Sequence, residues 1–110
     1  EIWGDGTQVR DFIHIDDIVE CTMKAVELDI KHTLNLGWGR PTDFNGLANM
    51  MFDVSGWKPK NGIKHLTDKP VGVMYRCCDP TNLFDICKPK ITLEEAIERC
   101  LYEFKGRNNG

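Results

Sequence analysis

A chain of 110 residues, 41% hydrophobic and 28% charged, has the material for one core and for one domain at most. Its formal net charge of -3 lacks the basic excess that nucleic acid or an anionic membrane surface demands, so an anionic ligand would need a few well-placed arginines. No apolar run approaches the ~20 residues of a membrane span, and no secretory signal pattern opens the chain.

Glu1 to Trp3 reads as a short strand. Without an initiator Met, the chain is expected to begin inside a larger fold. Gly4-Asp5-Gly6 is a turn, because glycine tolerates positive φ and aspartate bonds its own backbone. Val9 to Ile13 resumes as strand, with Val9, Asp11 and Ile13 on one face and Arg10 and Phe12 on the other. A first helix is predicted from Asp16 or Asp17, with Asp17 and Glu20 as a capping box. Its apolar face comprises Ile18, Cys21, Thr22, Ala25 and Val26, widened by Val19 and Met23, and it fades around Glu27 to Asp29. His14 beside Asp16 and Asp17 lacks further metal ligands at suitable spacing, so it reads as structural.

His32 to Leu36 is a second extended run, stopped by Gly37 and Gly39. Thr42 is the expected N-cap of a second helix, whose Phe44, Leu47, Ala48, Met51 and Val54 recur at helical spacing. Gly56 suits its left-handed C-terminal cap, while Gly46 inside it costs about 1 kcal/mol against alanine. Trp57 to Pro89 is dense in Pro, Gly and Lys. Short strands near Gly62 to His65 and Tyr75 to Cys77, and a turn of helix after Pro80, are expected there. In the last helix Thr92 and Glu95 form a capping box, Ile91 staples to Ala96, and Leu93, Ile97, Cys100, Leu101 and Phe104 share a face. Glu94, Glu95 and Glu98 near its start and Lys105 near its end complement the helix dipole, and Gly106 to Gly110 should fray. The expected class is α/β: a small, α+β-like unit of short strands and three main helices.

Cys21, Cys77, Cys78, Cys87 and Cys100 are odd in number and lack Cys-x-x-Cys spacing. They read as reduced thiols, mostly small buried hydrophobes, of a cytoplasmic protein. Trp3, Trp38 and Trp57 could stack on a base or sugar, but core or partly buried roles are the more common use.

The run Trp3 to Asp17, WGDGTQVRDFIHIDD, resembles the segment that opens the substrate-binding part of extended short-chain dehydrogenases of the NAD-dependent epimerase/dehydratase family. The likeness continues through Leu34-Asn35-Leu36-Gly37, Lys69 to Gly72, Tyr75 to Asp79 and Lys88 to Glu95, in the family's order and spacing. The resemblance implies that residues 1–110 form the C-terminal sugar-nucleotide-binding subdomain, with the Rossmann NAD(P)-binding domain absent. It implies that Arg10 and Arg76 hold the substrate diphosphate, Asp79 a ribose, and Glu1 and Trp3 the base. Guanidinium groups fork onto phosphate oxygens, and a carboxylate accepts from hydroxyls. The family's catalytic tyrosine and lysine stand four residues apart, yet Asp79 and Gly106 occupy those places after Tyr75 and Tyr102. The glycine cluster Gly37-Trp38-Gly39 has no direct helix after it. The chain alone is therefore expected to be non-catalytic and to hold no cofactor, NAD(P) being implied for the full-length enzyme. Its expected partners are a weakly bound nucleotide-diphosphate sugar and either the Rossmann domain or a second copy, met through an exposed apolar face. A stand-alone binding module or a structural remnant is the alternative reading.

Overall fold

The computed structural model describes residues 1–109. Four two-residue strands and four helices follow one another: β1 (Ile2–Trp3), β2 (Val9–Arg10), α1 (Ile15–Glu27), β3 (Thr42–Asp43), α2 (Phe44–Ser55), β4 (His65–Leu66), α3 (Thr81–Phe84) and α4 (Leu93–Asn109). β1 pairs parallel with β4, Ile2 opposite His65 and Trp3 opposite Leu66. β2 pairs antiparallel with β3, Val9 opposite Asp43 and Arg10 opposite Thr42, and Val9 also bridges Tyr75 in parallel.

The extended runs are shorter than their composition suggests. Val9 to Ile13 contributes only Val9 and Arg10 to a ladder, the strand expected near Gly62 to His65 lies at His65–Leu66, and Tyr75 to Cys77 reduces to the Tyr75 bridge. His32 to Leu36 is not a strand, because among the described residues no segment pairs with it. Ladders need partners, and two-stranded ribbons are marginal by themselves.

Helix boundaries are set by other residues than the expected caps. His14 caps α1, its Nδ1 accepting from the Asp16 N–H at 3.0 Å. The Asp17–Glu20 capping box does not form. Asp17 is buried and accepts from the N–H groups of Lys90 and Ile91, both at 2.9 Å, while Glu20 pairs with Lys90 Nζ at 2.7 Å. Of the expected α1 face, Cys21 is buried and Ile18 and Ala25 are half-buried, whereas Val19, Met23 and Val26 are exposed. Asp43, not Thr42, caps α2, its Oδ1 accepting from the Gly46 N–H at 2.6 Å. A Cβ on Gly46 would stand 2.7 Å from that oxygen, which is why glycine occupies a helical position that otherwise disfavours it. Gly56 closes α2 at φ 72, as its left-handed preference predicts. At α4 the Glu95 N–H donates to Thr92 Oγ1 at 3.2 Å. The helix extends through Gly106 to Asn109, with an Arg107–Glu103 pair one turn apart; Gly110 lies outside the described residues.

The buried apolar residues are Cys21, Leu83, Ile91, Leu93 and Ile97, so the core sits where α1 and α3 meet the start of α4. The molecule is a slab of 51 × 37 × 19 Å with a radius of gyration of 16.4 Å, against about 13 Å for a compact chain of this length. Its accessible surface of 7741 Å² likewise exceeds the roughly 6,200 Å² of a folded monomer of this mass. α2 and α4 pack side by side, and the groove between them, about 1110 Å³, is walled by Phe12, Leu47, Met51, Trp57, Ile97 and Phe104.

Candidate functional site

The Gly4-Asp5-Gly6 turn is fixed from within. Gly4 and Gly6 both adopt φ 81, and Asp5 Oδ1 accepts from the Thr7 N–H and hydroxyl at 3.0 and 2.6 Å. Those hydrogen bonds hold the Asp5 carboxyl below its usual range. From across the chain, the Asn45 N–H donates to the Gly6 carbonyl and the Asn45 amide to the Asp5 carbonyl, each at 3.0 Å. The turn thus delivers Val9 and Arg10 to β2 in a set register.

Val9 is the junction of the site. Its N–H donates to the Met74 carbonyl at 2.8 Å, and its carbonyl accepts from the Arg76 N–H at 3.0 Å and from Arg10 Nη1 at 2.7 Å. The parallel Val9–Tyr75 bridge therefore sets Arg10 and Arg76 opposite each other on adjoining backbone segments. The Arg10 guanidinium also lies 5.8 Å from the centre of the Phe44 ring at the start of α2, a cation–π geometry that orients it without neutralising it. Among the described residues no carboxylate comes within 4.0 Å of either arginine, so the Arg10–Asp5, Arg10–Asp11 and Arg76–Asp79 pairs that a surface reading would suggest do not form.

Asp79 opens α3. Its Oδ1 accepts from the Thr81 N–H at 3.0 Å and the Thr81 hydroxyl at 2.5 Å, which keeps its carboxyl below the usual range. Glu1, just before β1, and Trp3, at its end, line a cleft of about 480 Å³ that also touches Gln8, Phe44, Pro70 and Val71. Trp3 is 52% exposed, with Lys69 Nζ 6.0 Å from its ring centre, and Trp57 is exposed too; only Trp38 is tied inward, its Nε1 donating to the Ile91 carbonyl at 3.1 Å. Phe44, under Arg10 and on the cleft wall, links the arginine pair to the Trp3 side.

Gln8 and Asp11 carry no functional role in the sequence reading, and Asp17, read there as a helix cap, has a different one. Gln8 is buried; its amide donates to the Trp3 carbonyl at 2.8 Å, while its Oε1 has no partner among the described residues. Asp11 accepts from the N–H groups of Trp38 and Gly39 at 3.2 and 2.9 Å and from Cys78 Sγ at 3.1 Å. Asp17 is the clamp already described. Asp17 had a legible signal: it stands four residues before Cys21, on the same helical stripe.

The Gly37-Trp38-Gly39 turn does not fit a dinucleotide pyrophosphate. The backbone N–H groups that would cradle phosphate are already bound to the Asp11 carboxylate. The space a Gly37 side chain would take is filled by Cys78 Sγ and Asp11, and α2 begins only at Phe44. Cys78 is pushed up to about 11 and Cys77 is raised, burial being the first cause in both, so this vicinal pair is held as thiols. Among the described residues no group of three or more His, Cys, Asp or Glu is placed to hold a metal ion, and no helix is long and apolar enough to cross a membrane.

Residues 1–37 match the NAD dependent epimerase/dehydratase family. The chain is 33% identical over 86 residues to dTDP-4-dehydro-6-deoxy-D-allose reductase of Streptomyces bikiniensis, covering 78% of this chain and 26% of that protein. Its fold superimposes on UDP-N-acetylglucosamine 4-epimerase of Methanobrevibacter ruminantium, solved in complex with UDP-N-acetylmuramic acid, with TM-score 0.85 and 28% identity, over 96% of this chain and 34% of that one. It also superimposes on UDP-glucuronic acid 4-epimerase of Bacillus cereus, solved with UDP-glucuronic acid and NAD, with TM-score 0.70 and 26% identity, over 88% and 32%. The chain thus spans about a quarter to a third of the length of these relatives. Those matches, together with the order of the motifs along the chain, make it a member of the NAD dependent epimerase/dehydratase family.

Proposed function

We propose that residues 1–110 form the sugar-nucleotide-binding part of an NAD(P)-dependent epimerase or dehydratase and perform no chemistry alone. The observation that carries this reading is the placement of Arg10 and Arg76 opposite each other on paired backbone segments, with no carboxylate within 4.0 Å of either guanidinium among the described residues. Two cationic side chains that no carboxylate answers can be satisfied together by one multivalent anion. A diphosphate offers two charged groups. Asp79 keeps Oδ2 uncommitted while Oδ1 is held by Thr81, so it retains an acceptor for a ribose hydroxyl. Trp3 and Glu1, along the cleft beyond Phe44, supply a planar face and backbone groups for a base.

The cofactor and the catalytic groups belong, in this reading, to a Rossmann domain outside residues 1–110, which would cover the apolar groove between α2 and α4. The excess surface and slab shape support a surface meant to be covered. Without that domain the chain should self-associate through the groove, and light scattering over a concentration series checks this. A stand-alone binding module would behave alike in ligand binding but would stay monomeric. The first experiment is an NMR titration with UDP, GDP, dTDP and uridine. Shifts clustered at Arg10, Arg76, Asp79 and Trp3 with the diphosphates but not with uridine support the reading. Shifts that are equal for uridine, or absent at millimolar diphosphate, contradict it.

A further inference from the structure

Cys21, on the buried stripe of α1, and Cys87, between α3 and α4, stand 66 positions apart in sequence and bring their Sγ atoms to 2.7 Å. Both are free thiols; Cys21 is 1% exposed and Cys87 is partly exposed. The other cysteines are engaged elsewhere or stand apart: Cys78 donates to Asp11, Cys77 faces the Cys78 carbonyl, and Cys100 is exposed on α4. The Cys21–Cys87 contact lies on the seam where Asp17 grips the Lys90 and Ile91 N–H groups and Glu20 pairs with Lys90. That seam holds both thiols in place through the fold, not through local sequence.

We propose that Cys21 and Cys87 form a two-thiol oxidation site, which a peroxide converts into an intrachain disulfide fastening α1 to the segment leading into α4. Cys87, the more exposed sulfur, attacks the peroxide. An S–O bond forms, the O–O bond breaks, and hydroxide leaves with the Cys87 proton as water. The Cys87 sulfenic acid is then attacked by Cys21. The S–S bond forms, the S–O bond breaks, and the departing hydroxide takes the Cys21 proton as a second water. Two thiols have lost two electrons and two protons, and hydrogen peroxide has been reduced to two waters. Burial, followed by the neighbouring Cys87, pushes the Cys21 thiol up to about 12, which leaves the partly exposed Cys87 as the sulfur that meets the peroxide. A resolving thiol in contact intercepts the sulfenic acid before it oxidises further.

The test is a hydrogen peroxide titration of the purified protein, followed by alkylation, non-reducing digestion and mass spectrometry. The first disulfide should join the Cys21 and Cys87 peptides, revert with dithiothreitol, vanish in Cys87→Ser and persist in Cys100→Ser. It should raise the thermal midpoint by on the order of 10 °C. In concentrated urea, where the seam is gone, the preference for this pair should disappear. Earlier pairing of Cys77 with Cys78 or of Cys100 between copies, sulfinic acid at Cys87 without a disulfide, or the same preference in urea would each overturn the proposal.

Discussion

The seam between α1 and the segment leading into α4 and the Arg10–Arg76 corner treat charge in opposite ways. At the seam, the buried Asp17 carboxylate is answered by two backbone N–H groups, and Glu20 by Lys90. At the corner, the Val9 carbonyl accepts from the Arg10 guanidinium and from the backbone N–H of Arg76, and among the described residues neither arginine has a carboxylate within 4.0 Å. The first arrangement is complete within the chain and serves stability. The second is left open within the described residues, and under the proposed function an anion completes it.

Substitutions should separate the two regions, and Asp17→Ala should have the largest effect. It leaves the Lys90 and Ile91 N–H groups unpaired in the core, and should lower unfolding free energy by about 3 kcal/mol in a urea titration. Loss below about 1 kcal/mol would mean that the seam tolerates water. Gly37→Ala should come next. Its Cβ would collide with Cys78 Sγ and stand 2.6 Å from Asp11 Oδ2, and should destabilise by about 2 kcal/mol.

Arg10→Ala and Arg76→Ala should behave in the opposite manner. Each should leave the urea midpoint nearly unchanged while weakening nucleoside diphosphate binding by roughly tenfold or more, the scale of one lost charge-assisted hydrogen bond. The smallest effect belongs to the exposed Arg40–Glu94 pair, joined by bonds of 3.0 and 2.8 Å. The Arg40 guanidinium holds the Glu94 carboxyl at about 2, against its ordinary 4.5. A depressed carboxylate contributes stability above pH 4.5 that is lost as pH falls toward 2. Because both side chains are nearly half exposed, solvent screening reduces the contribution to about 0.5 kcal/mol. Glu94→Gln should remove that acid-limb slope, as read in urea titrations from pH 5 to about pH 2.

What the sequence made legible follows the range of each interaction. The Thr92 cap of α4, the Gly56 stop of α2 and the turn of helix after Pro80 depend on neighbours within a few positions, and each could be read directly. Asp17 was misread as a cap because its true partners, Lys90 and Ile91, stand more than 70 positions away. Its place on the Cys21 stripe was the available clue. Asp43 displaced Thr42 as the α2 cap because both are good capping residues, and the β2–β3 register, a tertiary fact, decides between them. The Cys21–Cys87 contact and the grip of Asp11 on Trp38 and Gly39 had no local signature at all. For the candidate site, the residue types came from the family resemblance. The adjacency of Arg10 and Arg76 required Val9 to bridge Tyr75, which no local pattern specifies.

The most direct test of the account is calorimetric titration of the protein with UDP-sugar, dTDP-sugar and the corresponding nucleosides, run beside Arg76→Ala, with the urea midpoint measured on the same samples. The account predicts saturable binding that needs the diphosphate, weakens at least tenfold in Arg76→Ala, and leaves the urea midpoint unmoved. Binding that survives Arg76→Ala unchanged, or that the nucleosides match, would contradict the claim that this corner is built for a diphosphate.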